Sequence, residues 1–261
     1  MTTALELSRR PALADTAITV LDRLPFPAAD SSSIDGSRIV RADYADAVYA
    51  QLCREAQEVW RGECPPSHPL AGLGADGRYS QTGLLQTGKA DYLQRAYAAV
   101  AADGSCEWLH GAADVQRVLG TGGSFGSSSG YVNWRSGWAD AEAAMRFLRA
   151  ATEASGRVAF VTATVASLLA DGPAVVGERL ADGAELRAAL TVVAAGAWSP
   201  ALVPELYCRS VATGQAVAYL RLPPDEWAAV ARMPVAFNLS TGAPPFSTCS
   251  DRRATAAGQL C

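Results

Sequence analysis

Ile18-Thr-Val-Leu-Asp22, continued by Asp30-Ser-Ser-Ser-Ile-Asp-Gly-Ser-Arg-Ile-Val-Arg-Ala-Asp-Tyr44, is the stretch whose reading decides the fold. Its first part is a short β-branched apolar run ending on an acid, the profile of a buried parallel strand whose terminal carboxylate meets a ribose. The other reading of Asp22 is an acid that simply ends a core strand. Upstream, Thr2 to Arg10 carries apolar Ala4, Leu5 and Leu7 behind a polar start, and Pro11 ends the helix that this spacing predicts. Helix followed by strand is the second half of a βαβ unit.

A spacing argument locates the first half. In a Rossmann unit the G-x-G-x-x-G fingerprint opens the helix, and the acid lies about 20 residues beyond it. Counting back from Asp22 places those glycines at or before Met1. Either the chain begins inside such a unit or the unit is something else.

Composition narrows the class. Of 261 residues, 49% are hydrophobic and 18% charged, which is globular, and the length suits one large domain or two modest ones. A formal charge of -4 leaves no basic footprint for nucleic acid. No run of about 18 apolar residues offers a membrane span, and the N-terminus, with Glu6, Arg9 and Arg10, has no apolar core of a secretory signal. The expectation is an intracellular protein, cytoplasmic or peroxisomal. Cys53, Cys64, Cys106, Cys208, Cys249 and Cys261 are scattered without C-x-x-C pairs, and His68 and His110 are the only histidines. Free thiols are expected rather than a zinc site.

Along the chain, periodicity predicts a helix from about Tyr44 to Arg61, a strand and turn over Tyr79 to Gln86, a helix over Ala90 to Ala102 and a helix over Gly137 to Thr152. Strands are expected over Val158 to Leu169, Val175 to Leu180 and Leu186 to Ala195, with turns at Gly172 and Asp182-Gly183. Val211 to Leu220 and Met233 to Leu239 read as strands of an antiparallel layer, with a short helix at Asp225 to Arg232 between them. The run Gly120 to Gly130 is glycine-rich, but no β-branched strand leads into it and no helix follows it, so it reads as a loop and not a phosphate cradle. Residues 243–261 lack periodicity and read as a disordered tail after a domain spanning 1–242.

Four pieces in this order carry a resemblance: Ile18 to Asp22; Asp30 to Tyr44; Gly130-Tyr-Val-Asn133 with Gly137-Trp-Ala-Asp-Ala141; and Val192-Val-Ala-Ala-Gly-Ala-Trp-Ser-Pro200. Thr213-Gly-Gln-Ala-Val-Ala-Tyr219 and Phe237-Asn-Leu-Ser-Thr-Gly242 extend it. The chain resembles the FAD-dependent oxidoreductases of the D-amino-acid oxidase and sarcosine oxidase group, and within it the fungal fructosyl amino acid oxidases. The resemblance implies an α/β fold: an incomplete Rossmann-like FAD-binding domain interleaved with an antiparallel-sheet substrate domain. It implies oxidation of a secondary amine, a glycated or N-methylated amino acid, with O2 reoxidising the flavin to give H2O2.

Carried over by position, Asp22 resembles the acid on the adenosine ribose, and Arg23 its neighbour near the adenine. Ser31, Ser32 and Ser33 with Arg38 and Ile39 are similar to the loop passing the pyrophosphate and flavin ring. Val165 resembles a backbone contact to adenine, Gly196 and Trp198 the turn that approaches the cofactor, and Arg41 the clamp on the substrate carboxylate. Loop hydrogen bonds for the serines and a solvated pair for Arg38 and Arg41 are the alternatives. The departures are the fingerprint glycines, the loop with the flavin-attaching cysteine and the C-terminal segment that supplies a lysine or histidine. A piece of an oxidase is therefore expected. Its rivals are a non-catalytic fragment that holds no FAD and a nicotinamide enzyme.

Overall fold

The computed structural model describes residues 1–88, 90–120, 129–207, 217–239 and 247–248. It contains α1 (Thr2–Ser8), β1 (Ile18–Asp22), β2 (Arg38–Val40), α2 (Ala47–Arg61), β3 (Tyr79–Ser80), β4 (Leu84–Gly88) and α3 (Ala90–Val100). Then come β5 (Cys106–Leu109), α4 (Ala112–Leu119), β6 (Gly130–Asn133), β7 (Gly137–Ala139), α5 (Ala141–Ala154), β8 (Val158–Thr162), β9 (Val165–Asp171), β10 (Ala174–Leu180) and β11 (Glu185–Arg187). The described chain closes with α6 (Ser199–Leu202), α7 (Pro224–Val230), β12 (Val235–Leu239) and β13 (Ser247–Thr248). Two compact units share it: residues 1–31 with 149–218, and residues 32–148 with 219–261. Each unit is thus made of two separate stretches, as the interleaved arrangement requires.

In the first unit β1 and β8 pair in parallel, Ile18 opposite Val158 through Asp22 opposite Thr162. α1 buries Ala4, Leu5 and Ser8. Arg157, just ahead of β8, fastens the end of that helix and the turn after it: its Nη1 donates to the Ser8 oxygen at 2.7 Å and its Nη2 to the Thr16 oxygen at 3.3 Å. The Ser8 carbonyl ends α1, where it has no intrahelical partner, so a guanidinium is a natural match. β9, β10 and β11 form an antiparallel meander.

The second unit has a five-stranded sheet ordered β13-β12-β4-β6-β5, and a three-stranded antiparallel one ordered β2-β7-β3. Neighbouring residues of β6 face opposite ways, as the pleat demands. Val132 joins Leu85 and Leu109 against Val115, Val118 and Leu119 of α4. Tyr131 joins Leu93, Ala96 and Val100 of α3 on the other face. Asp46 caps α2, its Oδ1 accepting from the Val48 and Tyr49 amides at 2.9 and 3.0 Å. Gly137 has to be glycine because a Cβ there would lie 2.0 Å from the Ser80 oxygen, on the line where β3 meets β7.

Several expectations are corrected. The helix expected over Gly137 to Thr152 begins only at Ala141, because Gly137 to Ala139 is the central strand of a sheet and Asp140 is the cap, accepting from the Ala143 amide at 2.9 Å. The run expected as one strand over Val158 to Leu169 is two, β8 and β9. The strand expected over Leu186 to Ala195 stops at Arg187: the Ala188 amide still donates to the Val176 oxygen at 3.1 Å, but no strand among the described residues pairs with 189–195, and Leu190 and Val192 stand 76% and 57% exposed. A β-branched run becomes a strand only against a neighbour. The layer expected to be antiparallel contains a parallel pair, Val235 opposite Leu84 through Leu239 opposite Gly88. Ser247 and Thr248, expected in a disordered tail, pair with Phe237 and Ala236. Of the strand expected over Val211 to Leu220, residues 217–220 are not strand and the rest lies outside the described residues, as does most of the loop between Gly120 and Gly130.

Candidate functional site

Strand pairing sets Asp22 at the carboxyl end of β1. Its side chain is exposed, its Oδ1 accepts from the Leu24 amide at 3.1 Å, and its main-chain oxygen accepts from the Ala163 amide at 2.8 Å. The carboxylate therefore sits on a turn at the end of a parallel strand pair, the place where open α/β sheets take nucleotides. Arg23 is paired with Asp30, and its guanidinium carbon lies 4.4 Å from the centre of the Trp198 ring. The structure thus brings together Arg23 and Trp198, which are far apart in sequence. Gly196 opens the short 3-10 turn that leads to Trp198 with φ at 53°, and no atom lies within 4 Å of where its Cβ would be. Glycine adopts that left-handed backbone most readily, and it leaves open space beside the chain. Val165 begins β9 opposite Leu180, and the Ser31 amide donates to the Ala28 oxygen at 3.0 Å.

The remaining expected residues belong to the second unit. Arg38 turns back on its own loop, pairing with Asp35 and donating from Nε to the Ser32 oxygen at 2.9 Å. It holds the segment that carries Ser32 and Ser33. Ile39 lies in β2 opposite Trp138 and packs on Leu84, Trp138 and Val235, so its side chain is spent on the core. Arg41 follows β2. Its Nη1 donates to the main-chain oxygen of Asp43 at 2.7 Å, and its guanidinium carbon lies 4.3 Å from the Tyr44 ring centre and 5.4 Å from that of Phe237. Aromatic faces favour a cation and restrict its rotation.

Sequence reasoning gave Asp43 no role, yet it anchors a buried polar network. Its side chain is fully buried and accepts from Asn133 Nδ2 at 3.1 and 3.2 Å and from Ser136 Oγ at 2.7 Å. Ser136 Oγ accepts in turn from Gln57 Nε2 of α2 at 3.2 Å. Burial pushes the Asp43 carboxyl above its ordinary value, while Ser136, Asn133 and the charge of Arg41 pull the other way. Beside it the Tyr131 hydroxyl donates to Gln86 Oε1 at 3.0 Å, and burial with the nearby Asp43 pushes that phenol up as well. Gln86 Nε2 is buried without a hydrogen-bond partner. The available signal was polar residues, Gln86 and Asn133, at buried positions of otherwise apolar strands.

A cavity of about 270 Å³ lies next to this network, lined in part by Arg54, Arg61, Asn133 and Arg135. Two of its arginines are neutralised, Arg61 by Glu63 and Arg135 by Glu63 and Asp103. None of the expected site residues lines it.

Residues 1–248 match the family described as FAD dependent oxidoreductase, DAO. The chain belongs to this family. It is 30% identical to the amino acid oxidase imqH of Aspergillus flavus over 87% of its own length and 55% of that protein. To the amino acid oxidase fsqB of Aspergillus fumigatus it is 32% identical over 85% of its length and 51% of that protein. The crystal structure of the deglycating fructosamine oxidase Amadoriase II from Aspergillus fumigatus shares its fold, with a TM-score of 0.71 and 24% identity over 99% of this chain and 57% of that one. The chain spans about half the length of these relatives.

The residues of this DAO-family chain fit one end of the cofactor. The exposed carboxylate of Asp22 at the strand end, the open space beside Gly196 and the half-exposed Trp198 suit an adenosine. For the phosphates, α1 offers Met1, Thr2 and Thr3 at its start, with no glycine and no side-chain cap. A pyrophosphate needs backbone N–H groups at a helix start and a close approach free of side chains.

The buried carboxyl of Asp43 generates a pH prediction. Its pKa is raised in the fold, so its contribution to stability is present below the ordinary value of 3.8 and is lost as pH rises through the raised value. Asp43→Asn should therefore gain stability relative to wild type progressively as pH rises above the ordinary carboxyl value of 3.8. Urea midpoints of the two proteins from below that value upward are the check, and a constant difference would contradict it.

Proposed function

We propose that this chain forms the nucleotide-end and carboxylate-binding parts of an FAD-dependent oxidase of secondary amines, acting on N-substituted amino acids such as glycated or N-methylated ones. The observation that carries this reading is Arg41. Its guanidinium is tethered on one side to the Asp43 oxygen and backed by Tyr44 and Phe237, and it makes no other hydrogen bond among the described residues. Parallel N–H groups left on a fixed guanidinium fit the two oxygens of a carboxylate. Two relatives named amino acid oxidases, and an Amadoriase II solved in complex with FSA at 25% identity, support an amino-acid-derived substrate.

In this reading Asp22 accepts from ribose hydroxyls, Gly196 and Trp198 border the adenosine, and the Arg38-held loop with Ser31, Ser32 and Ser33 runs toward the phosphates and flavin. Arg41 fixes the substrate carboxylate and so orients the amine-bearing carbon. FAD supplies the hydride acceptor, with O2 as the final oxidant and H2O2 as product. The protein contributes binding and orientation.

A second reading has an observation of its own. The start of α1 lacks glycine, which favours a polypeptide that holds no FAD by itself. This second reading is compatible with the first, and absorbance in the flavin bands of the purified 261-residue chain tests it. The colourless protein is the expected result, and a yellow, stoichiometrically loaded one would show that the chain does not need the glycine fingerprint.

The clamp is tested in a completed chain, this sequence joined in frame to the parts of the Aspergillus flavus amino acid oxidase imqH that lie beyond the matched region. Arg41→Ala should raise KM for an anionic substrate by roughly ten- to a hundredfold, or about 1.4 to 2.7 kcal/mol. Arg41→Lys should also be damaging, because an ammonium cannot form the paired bonds. The effect should shrink for an analogue with a neutral amide in place of the carboxylate. Equal losses for both substrates would make Arg41 a loop-holding residue.

A further inference from the structure

A guanidinium discriminates a carboxylate by geometry only if its own direction is fixed. Arg41 is fixed by remarkably few atoms for a long, flexible side chain: two rings and one main-chain oxygen. That oxygen belongs to Asp43, the middle residue of a three-residue turn closed by the Tyr44 amide donating to the Ala42 oxygen at 2.9 Å. In such a turn the direction of the central carbonyl follows the backbone angles of its residue. What fixes those angles is the side chain of Asp43, held by Asn133 of β6 and by Ser136 in the β6–β7 loop.

The other flank of Arg41 is equally constrained. Val40 pairs with Gly137, and its oxygen accepts from Gln57 Nε2 at 3.4 Å, the same amide nitrogen that reaches Ser136 Oγ at 3.2 Å. Ala42 is buried between the two anchors. One network therefore grips the chain just before and just after Arg41. A buried carboxylate is an expensive way to fill space, since an apolar side chain of similar size avoids the loss of hydration. Its presence at the residue whose carbonyl receives Arg41 calls for a role beyond packing.

We propose that Asp43 is a positioning residue: through its bonds to Asn133 and Ser136 it sets the main-chain oxygen that aims the Arg41 guanidinium, without itself touching the substrate. This rests on the reading of Arg41 as the carboxylate clamp, but the aiming is measurable without substrate or flavin. In a 15N–1H spectrum of the 261-residue chain, recorded cold enough to slow guanidinium rotation, the Nη1–H signal of Arg41 is identified by its loss in Arg41→Lys. In wild type it is expected to be dispersed and slow to exchange with solvent.

Asp43→Ala should move this signal to the position of a freely rotating arginine and speed its exchange at least roughly tenfold, a loss of protection that follows from local opening. Asp43→Asn, which keeps one oxygen acceptor for Ser136, should fall between the two, and the Nη–H signals of Arg157 in the other unit should stay put. A residue that only fills the core would lower stability and leave the Arg41 signal where it was. An unchanged Arg41 signal in folded Asp43→Ala overturns the proposal. Should that variant fail to fold, Asp43→Asn and Ser136→Ala decide it by the same criterion.

The two readings can fail separately. In the completed chain Asp43→Asn should raise KM for an anionic substrate by roughly three- to tenfold with little change in kcat, and should add nothing to Arg41→Ala. A shifted Arg41 signal with unchanged KM leaves the aiming intact and removes the clamp. An unchanged signal removes the aiming whatever the kinetics show.

Discussion

The parallel pairing of β1 with β8 is the constraint on which the rest of the chain depends. Parallel neighbours cannot be joined by a tight turn, so the chain has to leave the end of β1 and return to the start of β8. Here that connection is residues 23–157, and it contains the whole first stretch of the second unit, residues 32–148. Strand direction requires a crossover, and the second unit is inserted in it. Arg157 reinforces the pairing where the chain returns, by satisfying the carbonyls that α1 and its following turn leave open. The same pairing leaves the carboxyl ends of both strands together, with Asp22 opposite Thr162.

How much of this was legible in the sequence depends on whether a signal was local. The strand Ile18 to Asp22, the α2 and α3 helices and the turns at Gly172 and Gly183 follow from periodicity and turn chemistry, and they stand where expected. Gly137 to Ala139 was misread because an alanine-rich helix follows directly; only the Cβ-free approach to Ser80 across β3 explains a strand there, and that contact is not local. Leu190 to Ala195 has every local mark of a buried strand and lacks a partner among the described residues. The parallel register of β12 on β4 was likewise invisible, because residues 84–88 and 235–239 carry no mark of their mutual direction.

The candidate site divides in the same way. Asp22 was read from its place at the end of a β-branched run, Arg23, Gly196, Trp198 and Arg41 through the resemblance to a family, and the structure adds pairings that no spacing rule contains: Arg23 over Trp198, and Arg41 against Tyr44 and Phe237. Arg38 and Ile39 proved to be engaged with their own loop and with the core. Asp43 went unread because an acid between Ala42 and Tyr44 looks like any loop acid until Asn133 and Ser136 are seen to surround it. The Asp43 network ties strands and helices from separated parts of the chain around a single arginine.

The account stands most directly on the claim that the carboxyl end of β1 is the nucleotide end. The measurement is the FAD dissociation constant of the completed chain with and without Asp22→Ala. Loss of hydrogen bonds from ribose hydroxyls to a carboxylate is worth about 1.5 to 3 kcal/mol, so the constant should rise by roughly ten- to 150-fold. KM for the substrate should move little once flavin is saturating. A dissociation constant unchanged by the substitution would leave Asp22 as the end of a core strand, with its carboxylate serving only the Leu24 amide.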